Sequence, residues 1–218
     1  PVYIKNDVHL LSVAEREKYM VSDIENFIYI GLRSGIGSAI FYHGRLIEGR
    51  QGNAGFIGHT TVNPEGPLCT CGKCGCLDAF ASEMAMNNEY KKLCLEAGKE
   101  YSKDEEHLTV QDFIEKAEKG EEISRQVLKR SGFYIGIAIA NLIKTLEITT
   151  VIIGGCTQIE DTEFVNEIKN TAKNYLTRGY ENEIEIRVGS LKQEEYPLGA
   201  CCHVLSHILE KPKLSLNA

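Results

Sequence analysis

Four of the eight cysteines crowd into Cys69-Thr70-Cys71-Gly72-Lys73-Cys74-Gly75-Cys76, and His59 stands ten residues before the first of them. Thiolates spaced Cys-x-Cys, with a further Cys five residues on, can meet within one loop. Gly72 and Gly75 allow the tight turns such a loop needs. Zinc takes four nitrogen or sulfur donors in a tetrahedron, and a closed set of four marks a structural ion rather than a catalytic one. Spacing leaves the fourth donor open: His59 and Cys74 can each complete the set begun by Cys69, Cys71 and Cys76. Chance clustering of this kind is rare, which argues against merely reduced, buried thiols. The other cysteines (Cys94, Cys156, Cys201, Cys202) are scattered. A secreted disulfide scaffold is small and short of core, and this chain is neither.

With 218 residues, 43% of them hydrophobic and 25% charged, there is material for one large domain, or one domain plus the hinge of another. A net charge of -7, with Lys and Arg scattered among the acids, argues against a nucleic-acid surface, which needs a clustered basic face. No apolar run is long enough to span a bilayer and no signal-peptide pattern opens the chain, so no membrane contact is expected. The chain begins at Pro1 rather than Met and reads as a piece of a longer, cytoplasmic protein.

The elements that must position the donors follow from hydrophobic period. Val2 to Ile4 is a short strand candidate, and Val8 to Met20 is a helix with Leu10, Leu11, Val13 and Ala14 on one side, capped by Asp7. Phe27 to Gly31 and Ile36 to Tyr42 are strands around the turn Arg33-Ser34-Gly35, and His43-Gly44 turns tightly into Leu46-Ile47. From Gly49 to Gly75 the chain is rich in Gly, Pro and Cys and lacks a period; so long an irregular stretch calls for something such as a metal to hold it. Helices follow at Ser82 to Ala97, after the cap Thr109 with Asp112 three residues on, and at Glu121 to Leu146, where Gly132 and Gly136 would let a neighbour approach closely. The apolar run Thr149 to Ile153 suits a buried parallel strand, closed by Gly154-Gly155. Helix Glu163 to Thr177, strand Ile184 to Val188 and helix Gly199 to Leu209 complete an α/β order, with no internal repeat or low-complexity linker.

These residues also carry a resemblance. Asn53-Ala54-Gly55-Phe56-Ile57-Gly58-His59, then Cys69 to Cys76 and Leu77-Asp78, resembles the signature of the ROK family (repressors, open reading frames and sugar kinases), A-G-E-x-G-H followed by C-x-C-G-x-x-G-C-x-E. Three further stretches agree in order and spacing. Asn6-Asp7 resembles the family's sugar-binding Asn-Asp, Ser34-Gly35-Ile36-Gly37 its second phosphate loop, and Ile152-Ile153-Gly154-Gly155 its adenosine loop. The resemblance implies an α/β, actin-like (ribonuclease-H-like) ATPase-domain fold. Residues 1–24 would be the hinge-side segment of the first lobe and 25–218 the C-terminal lobe, with a structural zinc loop over 53–80. It implies His59, Cys69, Cys71 and Cys76 as zinc ligands, with Cys74 an extra. It also implies sugar contacts from Asn6, Asp7, Phe56, His59 and Asp78, vestigial nucleotide contacts from Ser34, Gly35, Gly154 and Gly155, and a homodimer or homotetramer.

The departures matter as much. Family kinases open with Asp-x-Gly-x-Thr; none of the six aspartates here has Gly two residues later, so ATP lacks its first phosphate loop and the first lobe is missing from this chain. Phe56 stands where the family has a sugar-binding Glu, and a phenyl ring accepts no hydroxyl hydrogen bond. Asp78 replaces the second Glu with a shorter carboxylate. Arg33 replaces a small residue beside the phosphate loop, adding bulk and an anion-binding fork. In a kinase Asp7 would be the general base. Zinc on one nitrogen of His59 would leave the other free for a ligand.

Phosphoryl transfer is mostly alignment and charge stabilisation, so Phe56 and Arg33 both cut against catalysis, whereas a sensor needs only differential affinity between two shapes. The expectation is a sugar-binding effector domain of a ROK-type transcriptional regulator, without kinase activity. Its ligand would be a monosaccharide or derivative, and DNA would be reached only through a segment upstream of Pro1. The alternatives are a fragment of a ROK kinase that phosphorylates a hexose or amino sugar from ATP, and a non-catalytic carbohydrate-binding or assembly module.

Overall fold

The computed structural model describes residues 2, 4–18, 24–102, 105–156, 159–160, 162–177, 179–180 and 183–210. Its apolar runs form β1 (Phe27–Leu32), β2 (Ile36–Tyr42), β3 (Arg45–Leu46), β4 (Thr150–Gly154) and β5 (Glu185–Val188). They join in the order β3-β2-β1-β4-β5. The short turns after β1 and β2 force antiparallel pairing. β4 adds in parallel beside β1 and β5 in parallel beside β4, each reached through a helix. His43 (φ 50) and Gly44 (φ 71) make the tight turn that matches strand twist.

Because successive side chains leave opposite faces of a strand, β1 feeds two cores. Ile28, Ile30 and Leu32 join Val151 and Ile153 in the larger core, under α3 (Glu83–Glu96), α4 (Val110–Glu118), α5 (Glu122–Leu146) and α6 (Glu163–Tyr175). Phe27 and Tyr29 face the other way, with Ile152 and with Leu11 and Ala14 of α1 (Asp7–Lys18). Burying each such side chain contributes roughly 1.5–3 kcal/mol. Covered on both sides, the parallel strands read as continuous apolar runs. α7 (Pro197–Glu210) crosses α1 closely; a Cβ on Gly199 would lie 1.9 Å from the Leu10 carbonyl oxygen. Among the described residues no helix is long and apolar enough to cross a membrane.

Two expectations are corrected. Val2 and Ile4 lie in no strand, and each is 89% exposed; the apolar pattern has no ladder partner among the described residues. Asn6, not Asp7, caps α1: its Oδ1 accepts from the amides of Val8 (3.0 Å) and His9 (3.3 Å). Asn and Asp cap about equally well, so position decides. Asp7 is instead the first helical residue, and Tyr19 and Met20, which the expected helix included, lie outside the described residues.

The glycine pair on α5 faces α6. A Cβ on Gly136 would meet Thr171 Cβ at 2.6 Å and the Ile168 carbonyl oxygen at 2.8 Å, whereas on Gly132 the nearest atom is Glu167 Cβ at 3.2 Å. Alanine raises helix propensity by about 1 kcal/mol at either site, and overpacking costs about 1–3 kcal/mol. Gly136→Ala is therefore expected to lower the urea midpoint and Gly132→Ala to leave it level or raise it. Equal shifts would contradict this packing.

Candidate functional site

The β1–β2 turn, the N-terminus of α1 and the loop after β3 enclose a cleft of about 310 Å3. Asn6, Asp7, Ser34, Gly35, Phe56, His59 and Asp78, drawn from all three segments, line it together. Buried His9 holds the α1 wall to the loop, with Nε2 2.8 Å from the Ala54 carbonyl. Ser38 holds the loop to β2: its amide and hydroxyl both donate to the Gly55 carbonyl, at 2.8 and 2.9 Å. The chain then makes a 3-10 turn over Ile57–His59. Gly58 in that turn has no room for a side chain, since a Cβ would stand 2.2 Å from the Ile36 carbonyl oxygen and 2.4 Å from Asp78 Oδ1.

Asp78 opens the short helix α2 (Asp78–Ala81) and ties the walls together. Its Oδ1 accepts from the Ile36 amide at 2.8 Å, and its Oδ2 lies 3.6 Å from His59 Nδ1. Burial pushes this carboxyl up, while the Ile36 amide and His59 pull it back. Asp7 lies at the rim with its side chain 73% exposed. Phe56 is half-exposed, its ring edge-on to the His59 imidazole at 6.3 Å. It gives the cleft an apolar surface where a carboxylate would have accepted hydrogen bonds.

On the far side of His59 lies the thiol cluster. The Cys69 amide donates to the Lys73 carbonyl at 2.8 Å and the Gly72 amide to the Cys69 carbonyl at 2.9 Å, folding Cys69 to Lys73 into a tight turn. Gly75 (φ 75) allows the return; any side chain there would strike the Asn63 carbonyl. The donor atoms of His59, Cys69, Cys71 and Cys76 come within 4.8 Å of one another, and Cys74 is not among them. Cys69 Sγ lies 3.6 Å from His59 Nδ1, and Cys71 Sγ lies 3.5 Å from Cys76 Sγ. A tetrahedral zinc with ordinary bond lengths has sulfur–nitrogen edges of about 3.5 Å and sulfur–sulfur edges of about 3.8 Å. The four donors therefore fit one metal ion. Burial and the neighbouring sulfurs push the Cys76 thiol up to about 12; a divalent cation reverses that logic and holds the thiolate. His59 Nδ1 lies 3.6 Å from both Cys69 Sγ and Asp78 Oδ2, so a metal on Nδ1 would leave the other ring nitrogen, Nε2, for a ligand.

Gly154 and Gly155 do not line the cleft. They close β4 beside Gly31 and Leu32, where a Cβ on Gly155 would lie 2.5 Å from the Leu32 carbonyl oxygen and 3.0 Å from Arg33 Cγ. Arg33 runs between the two glycine loops. Its guanidinium lies over the Tyr196 ring at 5.1 Å and reaches to 4.0 Å from Asp7 Oδ2. Sequence reading missed Tyr196, which carries no local signal so far along the chain. It also missed Ser38, although a lone polar residue in the middle of an apolar strand was a usable one.

The ROK family model matches residues 1–206. The chain belongs to the ROK family. It is 28% identical over 218 residues to a xylose repressor from Caldicellulosiruptor bescii, an alignment that takes in 98% of this chain and 54% of the repressor. A glucokinase from Halalkalibacterium halodurans is 29% identical over 209 residues, 91% of this chain and 62% of the kinase. The solved ROK hexokinase from Thermus thermophilus matches with a TM-score of 0.76 at 24% identity, covering 97% of this chain and 67% of the hexokinase. The fold is thus the actin-like α/β fold of ROK sugar kinases, with a mixed sheet. The chain spans about half the length of the xylose repressors it matches.

Proposed function

We propose that the chain is the sugar-binding effector part of a ROK-type transcriptional regulator, without kinase activity. The observation that carries this reading is the make-up of the cleft. Asn6, Asp7, His59 and Asp78 supply hydrogen-bonding groups for a sugar, while Phe56 supplies none and Arg33 is drawn toward Asp7. Asn6 Oδ1 is committed to the helix cap, so its Nδ2 is the group left for a hydroxyl. Asp78 accepts from a second hydroxyl and His59 Nε2 meets a third.

His59, Cys69, Cys71 and Cys76 would hold a zinc ion, which would fix the imidazole's orientation and close the loop. The sugar then bridges α1 and the zinc loop, and binding favours one arrangement of the longer protein over another. Residues 1–24 act as the hinge side of a first lobe, and a DNA-binding segment lies outside this chain. The similarity to xylose repressors supports this reading; the similarity to a glucokinase keeps the kinase reading, with Asp7 as base, as its competitor.

A gel-shift titration with the full-length protein tests the proposal. A bound monosaccharide is expected to change DNA affinity by a coupling of about 1–3 kcal/mol, a factor of roughly 5–150. A sugar that binds and leaves the shift unchanged would contradict it.

A further inference from the structure

Next to the cleft, past His59 and Asp78, lies a groove of about 610 Å3 between the turn Pro67–Thr70 and helix α3, with Ser34, Gly35, His59 and Asp78 lining both. The cleft alone, at about 310 Å3, stands at the lower end of small-ligand sites, which run to roughly 1,000 Å3.

The groove's lining mixes two kinds of surface. Leu68 and Met84 bring apolar side chains that are 72% and 50% exposed. Asn88 and Lys92, one turn apart on α3, bring hydrogen-bonding groups, and Arg130 is ion-paired with Glu89 and lies over the Phe80 ring. A pyranose ring has apolar faces and a hydroxylated rim, so this mixture suits a second sugar better than a lipid tail or a phosphate. We infer that the ligand is a glycoside of at least two units, with one ring in the cleft and the next in the groove past His59. The inference rests on the sugar-binding reading and extends it to the class of ligand.

The test is calorimetry on the chain with matched probes: xylose against xylobiose, and glucose against cellobiose and maltose. At least one disaccharide is expected to bind about tenfold more tightly than its own monosaccharide, the usual worth of one added set of contacts. The double variant Met84→Ala with Asn88→Ala changes two exposed positions outside the cleft, so folding is spared. It is expected to weaken that disaccharide about fivefold or more, as lost hydrogen bonding and packing would, and to leave the monosaccharide within about twofold. Equal or tighter monosaccharide binding, or equal losses for both probes, would overturn the two-ring site while leaving the sugar cleft intact. No binding of any probe would overturn both.

Discussion

Cys71→Ser is expected to release one equivalent of zinc from the purified chain and to lower its thermal midpoint sharply. The position decides the choice of variant. Cys71 is exposed, whereas Cys69 is 5% exposed and Cys76 wholly buried. A serine at 71 therefore removes one of the four candidate donors without disturbing packing, so a loss of stability reports on the metal. Structural zinc in small domains contributes about 10–16 kcal/mol of apparent binding free energy, and part of that here would be folding free energy of the loop. Cys69→Ser should behave alike with a further packing cost. Cys74→Ser is expected to keep the metal, because its sulfur stands outside the cluster. Metal analysis beside a thermal melt checks all three. Full zinc in Cys71→Ser, or its loss in Cys74→Ser, would mean a different donor set.

Phe56→Glu is expected to reorder the sugars that the chain binds. The ring is half-exposed, so the substitution costs the fold little. It places a carboxylate against the same cleft as Asp7 and Asp78. A hydrogen bond to a charged group is worth about 1.5–3 kcal/mol, which is roughly 10- to 150-fold in affinity for a sugar whose hydroxyl meets it. Sugars lacking that hydroxyl would lose, because the new carboxylate would be desolvated without a partner. Calorimetry across glucose, xylose and N-acetylmannosamine reads the ranking for both proteins. An unchanged order would place residue 56 outside the binding surface.

Particular residues show what the sequence could and could not disclose. The clustering of His59, Cys69, Cys71 and Cys76 was legible because candidate donors recur at short spacing, and the loop's irregularity pointed the same way. The strands β1 and β4 were legible because burial on both faces leaves unbroken apolar runs, and β2 because only Ser38 interrupts its run. The Thr109–Asp112 cap was legible too, since both halves of a capping box lie within four residues; Thr109 Oγ1 accepts from the Asp112 amide at 3.2 Å and Asp112 Oδ2 from the Thr109 amide at 2.8 Å. What stayed hidden depends on partners distant in sequence. Choosing His59 over Cys74 by geometry needs the turn that carries Cys74 away from the other sulfurs. The stacking of Arg33 on Tyr196 joins a β-turn to the start of α7. Asn6 displaced Asp7 as the cap because the start of a helix is fixed to one residue by tertiary packing, and neighbouring Asn and Asp carry the same signal.

The central claim is that this cleft binds a sugar without transferring phosphate to it. The most direct test incubates the full-length protein with ATP, magnesium and any sugar that gives a calorimetric signal, and measures sugar phosphate over time. The expected result is saturable sugar binding with no sugar-dependent phosphate transfer above the uncatalysed background. Formation of sugar phosphate at about 1–100 turnovers per second, the ordinary range for kinases, would contradict it and make Asp7 a working base.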